Sequence, residues 1–556
     1  VAKQNLLTFT QSPVREARMT ESMIVAPQPE AAEAGARVLR EGGNAIDAAM
    51  AAALVQGVVD PQMTGIAGFG NCQIYLPEKN IHTCIDFHGK TPLRATETMW
   101  EDRLIGETRD GFGYVLRDHI NDLGYQSITT PGSLMAYAQA IENYGSWDWQ
   151  DICADAIQYA RKGFIIRPRV HSWWTSGASL GRVPVAQRLG FSSTGRSLYF
   201  EPDGSFKAIG QKIINKDMAN TLERIARHGP DIFYRGEIAE QIASDMAEQG
   251  GLLSLQDLQR YNTTEYQPLQ SSYRGMDIAT NRPPGGGMML LQMMNTLENF
   301  DLKGMGHNSS HYIQTVCEVM KAATADKEAH IGDPAFVDVP IDRLISKHYA
   351  TSLADRIKSG ERMHVERFNP QKESPDTTHV AVIDAKGNCV TMTHSLGMPS
   401  GVITPGLGFM YNGCMGVFDP RPGRTGSVAP GKSRFSSLCP TIVFNHDKPR
   451  IVLGAPGGTQ IAMGVLQALL NVIDFGMSMS DAVAAPRFSS TSNLIDIMNR
   501  IPQYSVEPLL KQGYEVIRSP LSFGIAGVHG IELTDTGLKG GADPGMDGMA
   551  LSVIQP

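Results

Sequence analysis

No stretch of the sequence approaches the ~18 uninterrupted apolar residues that a membrane-spanning helix requires. The longest apolar run, Ala45 to Val59, is shorter and carries Asp47 and Gln56. Basic residues are not in excess: 49 Lys and Arg stand against 57 Asp and Glu, a formal charge of -8. A field of that sign draws in neither nucleic acid nor an anionic membrane surface. The first twenty residues hold no signal-peptide core, which points to the cytoplasm, although a chain beginning at Val leaves room for a trimmed leader. There is no CxxC. The seven cysteines, at 72, 84, 153, 317, 389, 414 and 439, are odd in number and widely spaced. They read as buried or free thiols of a reducing compartment rather than a disulfide frame or a zinc site. HExxH, zinc-finger spacing and EF-hand loops are missing too, so no metal or other cofactor is implied. The sequons at Asn262 and Asn308 read as chance matches.

What is present is a globular balance: 42% hydrophobic and 19% charged residues in a chain of 556. The 57 glycines and 32 prolines follow no fixed period, which excludes collagen-like and simple repeat architectures. Residues 29–59 predict two helices, separated by Gly42-Gly43, with Asn44 capping a second helix that is apolar almost all round. Strand-like residues follow at Cys72–Leu76. The middle, from about Pro131 to Lys358, reads mostly helical; the four methionines between Met288 and Phe300 are core filler at helical spacing. Residues 363–376 are polar, hold two prolines and read as an exposed connector. Two hairpins come next: 377–395 about a Lys-Gly-Asn turn, and 440–454 about Asn-His-Asp-Lys-Pro. Pro456-Gly457-Gly458 then leads into a helix from Thr459 to about Phe475, and a further helix is capped near Ser480-Asp481. This order predicts layered α/β or α+β packing.

Two motif matches are set aside. Gly426 to Ser433, GSVAPGKS, spells a phosphate-binding loop, but its flanks supply neither the buried strand nor the helix that such a loop needs. Gly177 to Gly181, GASLG, spells a nucleophile elbow without the strand and helix around it, and reads as a loop.

The junction Asp376-Thr377 carries chemistry. A polar connector meets a strand there, and cleavage before Thr377 would free an α-amine beside a threonine hydroxyl. A threonine alcohol is a poor nucleophile without a neighbouring base, and its own amine can be that base. His379 and His394 read as packing histidines. Acyl transfer also needs an oxyanion hole, and the amides of Gly457-Gly458 at a helix N-terminus are one reading of that pair. A tight turn without a ligand is the other.

REGGNAIDAAMAAALVQGVVDPQMTGIAGFG (40–70), PGSLMAY (131–137), RPPGGG (282–287), LENFDL (297–302), ADKEAHIGDP (325–334), DTTHVAVIDAKGN (376–388), SSLCPTIV (436–443) and GAPGGTQI (454–461) together resemble the γ-glutamyltranspeptidase family of N-terminal-nucleophile hydrolases. The resemblance runs over nearly the whole chain. It implies an α+β fold, the four-layer αββα sandwich, and a precursor that cleaves itself between Asp376 and Thr377. Residues 1–376 and 377–556 would remain together as large and small subunits of one interwoven fold, singly or as a dimer of such pairs. It implies Thr377 as nucleophile, Gly457 and Gly458 as oxyanion hole, Ser395 where the family has a threonine near the nucleophile, and Ser436 and Ser437 as holders of a substrate carboxylate.

Departures from the family fall on one function. His88 stands where the family has an arginine for the substrate α-carboxylate, and a neutral imidazole cannot make that bidentate fork. Val417 stands for the aspartate that binds the α-amino group, Gly397 for an asparagine and Cys414 for a Gln or Glu. The loop between Phe418 and Ser436 is shorter than the family's lid. The expectation is an amidohydrolase acting on a small-molecule amide whose acyl group lacks an α-amino group. That group can still bear a carboxylate, as in glutaryl or oxamate amides, with Arg434 and Lys90 assisting. Water is the expected acceptor. A genuine γ-glutamyltransferase or glutathione hydrolase is the alternative within the family, and an unprocessed, non-catalytic scaffold the alternative outside it.

Overall fold

Gly42 and Gly43 break the first helical stretch in two: α1 (Pro29–Arg40) and α2 (Ala45–Val59). Asn44 Oδ1 accepts from the N–H groups of Ile46 and Asp47, and Asp47 Oδ2 accepts from Asn44 N–H in return. Such a reciprocal cap satisfies donors that a helix start otherwise leaves unpaired. Every residue of α2 is buried, as expected for a helix without a polar face. These elements belong to a computed structural model that describes residues 21–176, 182–368 and 377–555.

Only the elements that build the sandwich are numbered below. The first half of the chain contributes β1 (Glu21–Ala26), β2 (Phe69–Leu76), β3 (Ile81–Phe87), α3 (Ser133–Tyr144), α4 (Trp149–Lys162), β4 (Thr264–Tyr266), β5 (Leu269–Tyr273), β6 (Met276–Thr280), α5 (Gly287–Leu297), α6 (Ser310–His330) and α7 (Lys347–Lys358). After the junction come β7 (Thr378–Ile383), β8 (Cys389–Ser395), β9 (Thr441–Asn445), β10 (Lys448–Gly454), α8 (Ile461–Ile473), α9 (Met479–Ala484), β11 (His529–Thr534), β12 (Gly537–Ala542) and β13 (Met549–Ile554). A seven-stranded sheet runs β13-β1-β7-β8-β2-β3-β4, and a six-stranded sheet runs β12-β11-β10-β9-β6-β5. Both sheets mix strands from the two sides of the junction.

Strand alternation sorts the core into layers. Val380 and Val382 of β7 join Ile24 and Ala26 of β1 in packing against α1 to α4. Their neighbours Ala381 and Ile383 face the second sheet, where Ile442, Val452 and Ile531 meet them. The outer face of the second sheet packs on α5, α6 and α8, and the methionines at 288, 289, 293 and 294 sit in that core. The result is the αββα sandwich.

The structure differs from the sequence reading in four places. The middle of the chain is less purely helical, because β5 and β6 form a hairpin turned by Arg274 and Gly275, both at positive φ. The second later hairpin turns on His446 and Asp447 alone, with strands reaching Asn445 and Lys448. Helix α9 is capped by Ser478 Oγ, which accepts from Asp481 N–H, two residues before the expected cap. The described start of the connector, 363–368, is not exposed throughout: Met363 and Val365 are buried, and the Asn493 side chain pairs with both backbone groups of Val365. Two inward residues are too short a pattern to stand out among polar neighbours. Residues 369–376, Asp376 included, and the GASLG string at 177–181 lie outside the described residues. The GSVAPGKS segment has neither a strand before it nor a helix after it.

Candidate active site

Thr377 directly precedes β7, which lies between β1 and β8 in the middle of the first sheet. It is buried, and two cavities share it. The larger, about 420 Å³, is lined by Gly457 and by Arg109, Arg169, Trp173 and Phe523. The smaller, about 20 Å³, is lined by Gly458, Arg434, Ser436, Ser437 and Val417. The glycine pair thus sits beside Thr377 with one member on each cavity. Gly457 has φ +142° and Gly458 +56°, and a Cβ on Gly457 would lie 2.7 Å from Ala526 Cα. No side chain fits that turn without strain. Among the described residues neither amide of the pair donates a hydrogen bond, and α8 starts just beyond, so both N–H groups are available to an oxyanion.

The paired serines are held from behind by the RPPGGG segment. Ser436 N–H donates to Pro284 O at 2.9 Å, and Gly286 N–H to Leu438 O at 2.8 Å. Ser436 Oγ lies 2.6 Å from His88 Nε2, and His88 Nδ1 lies 2.8 Å from Asp86 Oδ1. His88 is therefore a buried link between a carboxylate and a serine of the cavity wall, and does not itself line either cavity.

Arg434 is buried and has no carboxylate partner among the described residues. Its Nε donates to Phe435 O at 2.8 Å, and one terminal nitrogen lies 3.5 Å from Cys414 Sγ. The guanidinium stands 4.6 Å from the Phe69 ring centre and 5.6 Å from that of Phe112. Burial pulls its pKa below the ordinary arginine value, with the Cys414 sulfur opposing. A buried cation without a counter-ion is costly and calls for an anion.

Ser395 lines neither cavity; its Oγ accepts from Gly397 N–H at 2.8 Å, and Gly397 lines the smaller one. Lys90 is not brought to the site: its ammonium stands over the Tyr261 ring and donates to Asn262 O. His394 is held by Gln56, Thr64 and Tyr137, and burial pushes it down to about 3. His379 faces Thr391 and Thr393 and packs against Gly454, where a Cβ would lie 2.3 Å from the ring. Both are interior histidines. Sequence reasoning missed the Asp86 partner of His88, although an Asp-x-His pair running off a strand shares one face. It also missed Asp110, which accepts from Thr459 Oγ1 at 2.9 Å beside the glycine turn, and the Arg109–Asp496 pair at 2.9 Å in the larger cavity.

An αββα sandwich with a residue at the head of a central strand, facing a glycine turn, defines an N-terminal-nucleophile hydrolase fold. The γ-glutamyltranspeptidase family model matches residues 31–553. The chain is 35% identical to an acylase proenzyme of Pseudomonas sp. (strain V22), over 94% of this chain and 92% of that protein. It is 33% identical to the glutathione hydrolase proenzyme of Escherichia coli (strain K12), over 85% and 81%. A cephalosporin acylase from Bacillus halodurans superposes with a TM-score of 0.84 at 25% identity, covering 99% of both chains. The chain belongs to the γ-glutamyltranspeptidase family, and it is an enzyme of the amidohydrolase and acyltransferase type that family comprises.

Proposed function

We propose that the protein is an autoprocessing amidohydrolase whose nucleophile is Thr377 and whose acyl substrate ends in a carboxylate and lacks an α-amino group. Cleavage of the Asp376–Thr377 bond frees the amine. Thr377 Oγ1 then attacks the substrate carbonyl while its proton passes to that amine. Negative charge grows on the carbonyl oxygen, and the Gly457 and Gly458 amides receive it in this reading. The protonated amine next gives its proton to the departing nitrogen, leaving an ester on Thr377. Water, deprotonated by the same amine, splits the ester and releases the carboxylic acid.

The observation that carries the substrate reading is Arg434: a buried guanidinium with no carboxylate partner among the described residues, on the wall of the small cavity that Thr377 shares. The side chains of Val417 and Gly397 on the same wall offer no carboxylate or amide to an ammonium group. The relatives named as acylases are in keeping with this, and those named as glutathione hydrolases represent the competing preference.

The test has two parts. Wild-type protein is expected to mature from one band into two of about 41 and about 20 kDa, dividing the mass in proportion to chain length. Thr377→Ala should neither split nor turn over substrate. Mature enzyme should hydrolyse glutaryl- or succinyl-p-nitroanilide in preference to γ-glutamyl-p-nitroanilide. Preference for the γ-glutamyl compound would refute the substrate reading, and a fully active uncut chain would refute the nucleophile.

A further inference from the structure

His88 is bonded at both ring nitrogens. Asp86 Oδ1 accepts from the backbone N–H of His88 at 3.0 Å and from Nδ1 at 2.8 Å. An ionised carboxylate is an acceptor only, so Nδ1 carries a proton. In the neutral ring Nε2 is then a lone pair, and the Ser436 hydroxyl, 2.6 Å away, must point its proton at it. What Ser436 turns to the cavity in that state is oxygen lone pairs. A second proton on the ring reverses the bond. Nε2–H donates to Ser436 Oγ, and the hydroxyl proton is released towards the cavity.

We propose that Asp86, His88 and Ser436 form a proton-coupled selector for the tail of the acyl group, admitting a carboxylate when His88 is protonated and favouring a hydrogen-bond-donating tail, such as a carboxamide, when it is neutral. The proposal rests on the reading that the tail of the acyl group reaches the Arg434 wall of the cavity that Thr377 shares. A carboxylate can only accept. Against the neutral relay it meets lone pairs, and against the protonated relay it meets an O–H.

The charged and titratable groups around His88 set the coupling. Asp86 is the carboxylate set against the ring, and Tyr266 Oη lies 3.4 Å from the second Asp86 oxygen. The Tyr261 hydroxyl donates to His88 O. Arg434 stands over the Phe69 ring, whose centre is 5.8 Å from that of His88. Anion and proton are therefore taken up together, each favouring the other, as linkage requires.

The test compares glutaryl-p-nitroanilide with its terminal carboxamide analogue on mature enzyme. The ratio of their kcat/KM values is followed from about pH 5.5 to about pH 9, the range in which an imidazole changes charge. Taking the ratio cancels titration of the Thr377 amine, which acts on both substrates. The acid-to-amide ratio is expected to be level at low pH and to fall about tenfold per pH unit above the relay's transition. His88→Gln should make it level throughout, and Asp86→Asn, which keeps the ring but removes its anion, should move the fall to lower pH. Independently of turnover, calorimetry of glutarate in two buffers of different ionisation enthalpy should record uptake of a proton above the transition. His88→Gln should record none. A level wild-type ratio, a fall that persists in His88→Gln, or glutarate binding that is absent or without proton uptake overturns the selector. Proton-coupled glutarate binding by a protein that hydrolyses neither anilide would instead remove the Thr377 reading and leave the selector standing.

Discussion

Arg434 illustrates how one side chain can be held at a cost to the fold. Its charge is desolvated between Phe69 and Phe112, and among the described residues only a carbonyl and a thiol answer its donors. Cation–aromatic contact recovers part of that cost, ~2 kcal/mol for a desolvated pair. Removing the charge should leave the fold intact and damage the site. Arg434→Met is expected to keep or raise the urea midpoint, since burying an ion without its partner favours the unfolded chain. The same variant should lose roughly 30- to several-thousand-fold in kcat/KM on a glutaryl anilide, the equivalent of ~2–5 kcal/mol for a buried charged partner. Arg434→Lys should fall between, because an ammonium replaces the charge but not the planar fork. Denaturation and steady-state kinetics on the same preparations check both halves. An Arg434→Met protein that unfolds early yet turns over normally would mark the residue as structural.

At the scale of elements, the turn between β10 and α8 puts Gly457 and Gly458 on the walls of the two cavities that Thr377 lines. Its shape depends on Gly457 at φ +142° and on the 2.7 Å that a Cβ would leave to Ala526 Cα. Gly457→Ala should therefore cost ~1–3 kcal/mol of backbone strain. It should also lower kcat by about 10²-fold or more, the scale of a lost oxyanion donor. The cap of α2 offers the contrast. Asn44→Ala removes a helix start away from both cavities and should cost ~1 kcal/mol of stability with kcat unchanged. Thermal unfolding and single-turnover rates of the two variants separate an element that shapes the site from one that only supports it. Equal kcat losses in both would contradict this division.

The whole molecule stores acid sensitivity in its interior. Burial pushes His394 down to about 3 and His529 to about 4, and holds His379 well below its ordinary value. Unfolded, the same rings titrate near 6.5. As pH falls through that value the unfolded chain takes up protons that the folded chain refuses. Stability that is fully present above pH 6.5 is then lost progressively down to the folded pKa values. The slope is about 1.4 kcal/mol per pH unit for each histidine, or about 4 for the three together. Urea midpoints between about pH 7.5 and about pH 5 should fall accordingly; a level profile would show that these rings gain protons in place. Because both sheets interleave strands from before and after residue 377, a cut there severs a connection and leaves the sandwich paired.

Much of the architecture was local and therefore legible. Gly42-Gly43 with Asn44 dictates a helix break and a cap within a few residues, and the alternation of 378–395 about a glycine turn dictates a hairpin. The threonine at its head and the Gly457-Gly458 turn could be located because each depends on its immediate neighbours. The β5–β6 hairpin escaped notice because its strands are short and half polar, so their pattern resolves only when β9 pairs with β6. Met363 and Val365 escaped because two residues make no period. What tertiary structure alone decided is which distant groups meet: His88 and Ser436, 348 residues apart, and Arg434 with Phe69 and Phe112. Hydrogen-bond polarity and desolvation are properties of such meetings and not of any one residue. The sequence by itself thus determined the elements, and the packing of two sheets determined which buried charge and which hydrogen-bonded serine line the cavity at the head of β7.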